Sequence, residues 1–325
     1  MKISRSTAFG LGAALIVVLV IVLLGLTLSD YDLSTGATVG VFFVAILSLN
    51  IVTGYTGQIS IGQGAFMAFG GYTTAILTHN HGWNDLATLP VAALVGFGAG
   101  LVVGLPALRL QGVYLALTTF AVALAVPQVA KNYSNFTGGT EGLALPTHSG
   151  AWLYRTAWII AGVMFVISWL LLRGRTGRAF RAVRDSEIAA ASSGVALPIY
   201  KTLAFGISAA MAAVAGSVYV LVINFVNPDV FGLSLSLYIL IGVVVGGLGS
   251  LWGVIVGAAF VELLPIGLTD AHISSSQSVP VVFGVVVIVV MAVVPLGAAD
   301  LLRRLLQFGS SSRESVESPL GTEAR

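Results

Sequence analysis

Apolar runs of about twenty residues recur along this 325-residue chain and constrain its fold more than any other feature. The run from 9 to 28 is nearly unbroken, and others follow it at short intervals. About twenty apolar residues in a helix cross the roughly 30 Å of hydrocarbon in a bilayer. Only 9% of the residues are charged, against about 25% in a soluble domain. Much of the surface is therefore expected to face lipid.

The runs predict an all-α membrane protein, a polytopic helical bundle with about eight to ten transmembrane helices. The first run resembles a signal peptide in position, but Leu26-Thr27-Leu28 is a poor cleavage site, which favours a first transmembrane helix. The bundle is expected to occupy residues 1–308, and the Ser- and Glu-rich segment 309–325 is predicted to be a disordered cytoplasmic tail. Further spans are predicted at 38–53, before 77, and at 87–105, 113–129, 157–172, 201–226, 233–264 and 279–294.

Basic residues predict the orientation, because they concentrate on the cytoplasmic side of membrane proteins. With the N-terminus inside, six spans precede the basic loop 173–201 and bring it to the cytoplasmic side. All but two of the fifteen Lys and Arg residues then lie inside, the exceptions being Lys131 and Arg155. The C-terminus is also cytoplasmic if the stretch 233–264 dips into the membrane and returns, or crosses it twice. A single crossing there would place the C-terminus outside.

Glycine-rich polar segments interrupt two of the apolar runs. Gly54-x-x-Gly57 and Gly246-x-x-Gly249 resemble each other, and the predicted topology has the first entered from the cytoplasm and the second from outside. Such matched segments indicate an inverted repeat with re-entrant elements and a translocation pathway between its halves. Close packing of helices by small residues is the other interpretation, and the simpler one. The candidate pathway residues are Gly54, Gly57, Gln58, Ser60, Gln63, Gly246 and Gly249.

The segment from Arg173 to Lys201 is the basic exception in an apolar chain, with six of its fifteen Lys and Arg residues. Residues 173–183 are compatible with a helix. Glu187 is predicted to begin a second short helix, capped by Asp185 or Ser186 and ended near 194. These pieces would make a compact knob that fits a cleft of a soluble partner. A loop that only sets orientation is the bland alternative.

No residue pattern for catalysis accompanies these features. The chain has no cysteine, and the Gly-rich segment 137–142 lacks the Gly-Lys-Ser/Thr of a nucleotide-binding loop. His79 and His81 have no third metal ligand near them in the sequence. The net charge of +2, with clustered basic residues, does not fit a nucleic-acid footprint. We therefore expect no enzyme activity, no metal or cofactor bound by this chain and no nucleic acid. If the chain transports a solute against a gradient, ATP must be used by partner subunits.

Separated motifs, in order along the chain, resemble known transporters. The motif Glu187-x-Ala189-Ala190-x-x-x-Gly194 is similar to the EAA loop of bacterial ABC importer permeases, the element that docks on the ATPase. The segments 49–66, 178–187 and 246–253 resemble the branched-chain amino acid permease family, and the resemblance covers about residues 38–300. Two positions depart from the family: Gln63 stands where it often has His, and Gly64 where Ala is common.

The resemblance implies a permease subunit of an ABC importer for branched-chain amino acids in the bacterial inner membrane. It implies a homologous second permease, two cytoplasmic ATP-binding subunits and an extracytoplasmic substrate-binding protein as partners. Urea and short-amide importers share the scaffold, so the substrate stays open. An ion-coupled secondary carrier and a non-transport scaffold subunit are the alternatives outside this function. The residues expected to couple the permease to the ATPase are Arg181, Arg184, Glu187, Ala189, Ala190 and Gly194.

Overall fold

The computed structural model describes residues 29–110, 112–270 and 278–293, together with residues 23, 25 and 27. The first span predicted at 9–28 and the tail predicted at 309–325 lie outside these continuous ranges. The described chain is almost entirely helical. Its helices are α1 Asp30–Leu49, α2 Gln63–His81, α3 Asp85–Ala107, α4 Val113–Asn132, α5 Ser134–Thr137, α6 Gly150–Arg173, α7 Arg175–Asp185, α8 Glu187–Ser192, α9 Leu197–Ile223, α10 Leu233–Gly246, α11 Gly253–Asp270 and α12 Ser278–Val293.

Six segments of the described chain are helical, long and apolar enough to cross a membrane. A seventh apolar helix, within α11, is shorter. The predicted all-α polytopic bundle is confirmed, and the protein is a multi-pass membrane protein. The six segments are Asp30–Tyr55, Asp85–Pro106, Val113–Asn132, Gly150–Arg173, Leu197–Ile223 and Pro228–Gly246.

Two helices, α1 and α9, form the centre of the bundle. In their most apolar stretches 83% and 72% of the residues are buried, against 22% in both α3 and α6. The apolar side chains of α3 and α6 that face outwards therefore need a lipid or protein neighbour rather than water.

Glycines on α3 let it lie directly against α9. Gly96, Gly100 and Gly104 recur at every fourth position and so share one helix face. A Cβ on Gly96 or Gly100 would overlap Ala213 or Ala209 of α9. Small residues at this spacing let helix backbones approach closely in a membrane, where van der Waals packing and hydrogen bonds drive association.

The bundle has two ends with different contents. One end, here called the loop end, holds α7 and α8. The opposite end, here called the cap end, holds strands β1 (Leu143–Ala144) and β2 (Phe225–Val226), which pair antiparallel. Two ion pairs also lie at the cap end, Lys131–Asp229 at 2.7 Å and His148–Asp85 at 2.7 Å. Lys131, which the sequence assigns to the outside, thus lies at the end opposite the basic loop.

Two helix starts differ from the prediction. Helix α6 begins at Gly150 rather than near 157, because Ser149 Oγ accepts a hydrogen bond from the Trp152 N–H and caps the helix. Helix α9 begins at Leu197 rather than after Lys201. Pro198 lies in its first turn, where the missing N–H costs nothing because no carbonyl of the helix precedes it.

Candidate coupling site

The basic loop folds as two short helices that meet at Ser186. Ser186 has an extended backbone and its Oγ accepts a hydrogen bond from the Ala189 N–H at 3.3 Å. This contact satisfies one of the free N–H groups at the start of α8. The predicted second helix, its start at Glu187 and the Ser186 cap agree with the structure.

Gly194 ends the knob with a left-handed turn. Its φ is +83°, a conformation that glycine adopts without the steric cost borne by other residues. The Val195 N–H then donates to the Ala190 carbonyl at 3.0 Å, and the Gly194 N–H donates to the Ala191 carbonyl at 3.0 Å. These bonds close the carbonyl end of α8 before the chain enters α9.

Apolar side chains anchor the knob on the membrane helices. Phe180 of α7 is fully buried and meets the Tyr200 ring of α9 edge-on, with centroids 6.4 Å apart. Val183 and Ala190 are also buried. Arg181 Nη2 donates to the Leu172 carbonyl at 3.3 Å and so ties α7 to the end of α6. The knob is therefore packed onto the bundle rather than hanging from it.

Glu187 is held within the chain by an ion pair with Lys201. The Lys201 Nζ lies 2.6 Å from Glu187 Oε1, and the Lys201 side chain is 4% exposed against 30% for Glu187. The carboxylate therefore holds α8 against α9. The sequence pattern identified Glu187 as a coupling residue but gave no sign that Lys201 is its partner.

The outward face of the knob carries exposed apolar side chains among its polar ones. Ile188 on α8 is 83% exposed, Ile199 at the start of α9 is 65% exposed, and Ala189 is exposed beside them. Large aliphatic side chains on a polar, arginine-rich segment are informative because exposed apolar patches mark interaction sites. The prediction from the motif missed Ile188 and Ile199, since the resemblance centred on Glu187, the alanines and Gly194.

Arg184 connects the loop to the first helix break. Its Nη1 donates to the Gly54 carbonyl at 2.6 Å. Gly54 lies in a π-helical turn, Asn50–Tyr55, that continues α1. The chain then leaves the helix at Gly57, where φ is +71° and a Cβ would lie 3.4 Å from Arg184 Cγ. The first break therefore lies directly on α7.

Asn50 joins the first break to the second. Its Oδ1 accepts a hydrogen bond from the Gly249 N–H at 2.8 Å, and its Nδ2 donates to the Ser250 carbonyl at 2.9 Å. Gly249 also borders Arg184, because a Cβ on it would lie 2.7 Å from Nη1. Three elements thus meet at one point: α7, the end of α1 and the turn between α10 and α11.

This juxtaposition places the two breaks side by side, towards the loop end. Helix α10 starts after the Pro228–Phe231 turn near the cap end, and its 14 residues extend for about 21 Å. That length carries the second break most of the way from the cap end to the loop.

The remaining pathway candidates lie in the interior or at the turn. Gln63 is buried at the start of α2, where its Nε2 donates to Ser48 of α1 and to Ser208 of α9, the latter at 3.1 Å. Gln58 Nε2 donates to Thr56 Oγ1 at 2.9 Å, and Gln58 Oε1 has no hydrogen-bond partner among the described residues. Ser60 is buried.

Neighbouring helices satisfy the polar backbone between the first break and α2. The Ile61 N–H donates to Thr119 Oγ1 of α4 at 2.9 Å, and the Gly64 N–H donates to Ser236 Oγ of α10 at 2.9 Å. Non-helical backbone at membrane depth needs partners of this kind. Gly246 packs against Gly253, with which a Cβ at 246 would clash. The structure thus brings Gly54, Gly57 and Gly249 together around Arg184, but not Gln63, which lies with Ser48 and Ser208.

Comparison with known proteins gives one family and several relatives. Residues 31–294 match a family model described as branched-chain amino acid transport system / permease component. The high-affinity branched-chain amino acid transport system permease protein LivM of Salmonella typhimurium is 34% identical over 250 residues, which cover 67% of this chain and 59% of that protein. The permease protein LivH of the same kind of system in Escherichia coli is 25% identical over 287 residues, or 81% of this chain and 92% of LivH.

A permease of a different import system also matches. The autoinducer 2 import system permease protein LsrC of Klebsiella pneumoniae is 31% identical over 180 residues, or 52% of this chain and 51% of LsrC. No solved structure matches the chain. The matches to the LivM protein thus span less than two thirds of its length, whereas the match to LivH spans nearly all of it.

Proposed function

Because this chain belongs to the family of branched-chain amino acid transport permease components, we propose that it forms the translocation pathway of an ATP-driven importer. In this proposal the substrates are branched-chain amino acids, and the energy comes from separate ATP-binding subunits that grip the loop 173–201. The observation that carries the coupling is the knob itself. It is packed firmly on the helices and bonded to the first helix break, yet it presents Ile188 almost fully to the outside.

The coupling residues divide between an outer and an inner face of the knob. Ile188 and Ala189 form the outer face and would enter an apolar cleft of the ATPase. Arg181, Arg184 and Glu187 form the inner face and hold the knob on the helices. Ala190 packs inwards, and Gly194 sets the turn that aims α8.

The pathway residues act in this proposal at the two helix breaks. Gly57 is exposed and Ile59 is 41% exposed, so this short segment would border the pathway. Gly54, Gly246 and Gly249 would let the breaks pack and shift without side-chain clashes. Gln58, Ser60 and Gln63 are buried, and they would hold the segment in place between α1, α4 and α9.

The proposed partners would bind the two ends of the bundle. Two ATP-binding subunits would bind the loop end on the cytoplasmic side of the bacterial inner membrane, and a substrate-binding protein would bind the cap end outside. A homologous second permease would complete the pathway. Both termini would then be cytoplasmic. The charge distribution supports this orientation, because Lys131 is at the cap end whereas the arginines of α7 are at the loop end.

An apolar groove would suit an aliphatic substrate, although none of the candidate pathway residues lines it. It has a volume of about 340 Å³, is open at the surface between α2, α4 and α5, and is bordered by side chains such as Phe69, Ile76 and Val126. Its lining contains no charged side chain among the described residues. Such a wall suits the side chains of leucine, isoleucine and valine but offers no charged selector, so the extracytoplasmic binding protein would set most of the specificity.

Reconstitution tests the proposal. Vesicles would contain this permease, the second permease and the ATP-binding subunits, with the binding protein added on the cap side. ATP-dependent uptake of leucine, isoleucine or valine is expected. Uptake of urea or acetamide instead would place the substrate in the related amide class. Uptake driven by an ion gradient without the ATP-binding subunits, or no flux at all, would contradict the importer.

One substitution pair tests the outer face of the knob. Ile188→Glu places a charge where an apolar contact is proposed, and about a tenfold or larger loss of uptake and of ATPase co-purification is expected. Ile188→Val keeps an apolar side chain and should retain most of both. Equal behaviour of the two variants would contradict the docking role of Ile188.

A further inference from the structure

In the described part of the chain, two side chains link the loop and the two breaks by hydrogen bonds. One joins the loop to the first break, and the other joins the first break to the second. Arg184 reaches from α7 to the Gly54 carbonyl, and Asn50 reaches from the end of α1 to both peptide groups at Gly249 and Ser250. Asn50 and Gly249 are 199 positions apart in the chain. This pair of side chains, here called the clamp, is therefore a tertiary link and not a local turn.

The backbone around the clamp is shaped to admit it. A Cβ on Gly54 would overlap Asn50 Oδ1, so a glycine at 54 leaves room for the amide to fold back. At Gly249 the φ of +78° and the nearness of Arg184 Nη1 both favour glycine. Asn50 opens a π-helical turn, and such turns within helices occur frequently at functional sites.

The hydrogen bonds of the clamp replace bonds that the breaks have lost. Peptide groups next to a helix end lack partners within the helix, and unpaired peptide groups are costly away from water. The bond from Arg184 has a charged donor, and such bonds are roughly twice as strong as neutral ones. A displacement of α7 would therefore pull on the end of α1 and on the α10–α11 turn together.

We propose that Asn50 and Arg184 are positioning residues that make the loop and both helix breaks move as one body. The proposal rests on the proposed function, because the ATP-binding subunits supply the movement. Without the clamp, α7 would move while α1 and the α10–α11 turn stayed behind. ATP would then be hydrolysed with little opening of the pathway.

The first test measures uptake and ATP hydrolysis in the same vesicles of the complete complex. Asn50→Ala and Arg184→Ala should each lower the amount of leucine imported per ATP by about tenfold, equivalent to about 1.4 kcal/mol. Because the two residues act as one unit, the double variant should fall little further than either single variant. Arg184→Lys keeps a charged donor and should recover part of the ratio.

A matched control removes a buried hydrogen bond elsewhere. Thr74 and Thr88 share a buried bond of 2.9 Å between α2 and α3, so Thr74→Val loosens packing without touching the clamp. It should keep the wild-type ratio of import to hydrolysis. Any of three results would overturn the clamp. Asn50→Ala could keep the wild-type ratio of import to hydrolysis, or Thr74→Val could lose as much of that ratio as Asn50→Ala. The double variant could also lower the ratio by the product of the two single effects.

The second test follows the movement itself and needs no substrate. The chain has no native cysteine, so spin labels can be placed at exposed positions by Arg178→Cys on α7 and Leu248→Cys beside the second break. In the complex, the distance between the labels should be the same with and without ATP. In the Asn50→Ala background it should change when ATP binds.

The experiments distinguish a failure of the clamp from a failure of the proposed importer function. If wild-type vesicles import leucine with ATP but the label distance changes on ATP binding, only the clamp is wrong. If the ATP-binding subunits neither bind nor drive uptake, the importer is wrong and the clamp falls with it.

Discussion

At the scale of single residues, Lys201 and Glu187 make a testable pair because their exposures differ. Removing Glu187 leaves a buried ammonium group without its carboxylate, whereas removing Lys201 leaves a carboxylate that is 30% exposed and partly hydrated. We therefore expect Glu187→Ala to weaken the docking of α8 more than Lys201→Met does, by about 1–2 kcal/mol. Hydrogen exchange of the α8 amides measures this difference. Equal exchange in the two variants would contradict the role of the carboxylate as the holder of the knob.

Gln63 gives a second residue-scale prediction, because it is a buried amide that bonds to two serines. Gln63→Leu keeps the size and loses both donors. The serines keep their own donations, from Ser48 to Ala45 and from Ser208 to Ser48, so the expected cost is about 0.6 kcal/mol. Gln63→Glu introduces an ionisable group into the bundle and should cost about 3 kcal/mol. Unfolding in mixed detergent and SDS gives the change in free energy of unfolding for both variants. A Gln63→Glu variant more stable than Gln63→Leu would contradict the placement of Gln63 as a buried amide in the bundle.

At the scale of elements, the contact between α3 and α9 predicts opposite outcomes for two glycines on the same helix. Gly100→Leu would force a side chain into Ala209 and the α9 backbone, and several kcal/mol of destabilisation is expected, more than the about 1–3 kcal/mol typical of overpacking. Gly98 is exposed, and a Cβ there would meet no described atom within 4 Å. Gly98→Leu should be neutral or gain up to about 1 kcal/mol from helix propensity. The same SDS titration compares them, and similar losses for both would contradict the packing of α3 on α9 through its Gly100 face.

Element positions were more predictable than element partners. Apolar runs and glycines announce where helices lie and break, because both follow from local composition. The partner of Asn50 could not be predicted, since Gly249 lies 199 positions away and many peptide groups could receive one amide. A signal for Asn50 itself did exist: a lone amide in the apolar run 38–53 is costly in a membrane unless bonded. Asn50 lies in the segment 49–66 that resembles the permease family, but it precedes the Gly-x-x-Gly pattern on which the candidate pathway residues were chosen.

The glycine motifs also show that the positions of elements were easier to predict than their partners. The repeated Gly-x-x-Gly pattern located both breaks but gave no sign that they lie side by side. Only the length of α10 and the clamp bring them together at the loop end. Likewise, the motif identified Glu187 but not Lys201, because the ion pair forms across the turn between α8 and α9.

At the scale of the whole molecule, the position of the second break makes the orientation testable from both sides. Asn84, at the cap end, and Ser193 and Leu248, towards the loop end, are exposed, and each can carry a single cysteine because the chain has none. In intact cells an impermeant maleimide should label Asn84→Cys and spare Ser193→Cys and Leu248→Cys. After permeabilisation all three should react, which controls for accessibility. Labelling of Ser193→Cys from outside would reverse the proposed orientation and remove the ATP-binding subunits from the knob. Labelling of Leu248→Cys alone from outside would leave the orientation intact but would place the second break away from the loop. The clamp could then not transmit a movement of the ATP-binding subunits to both breaks.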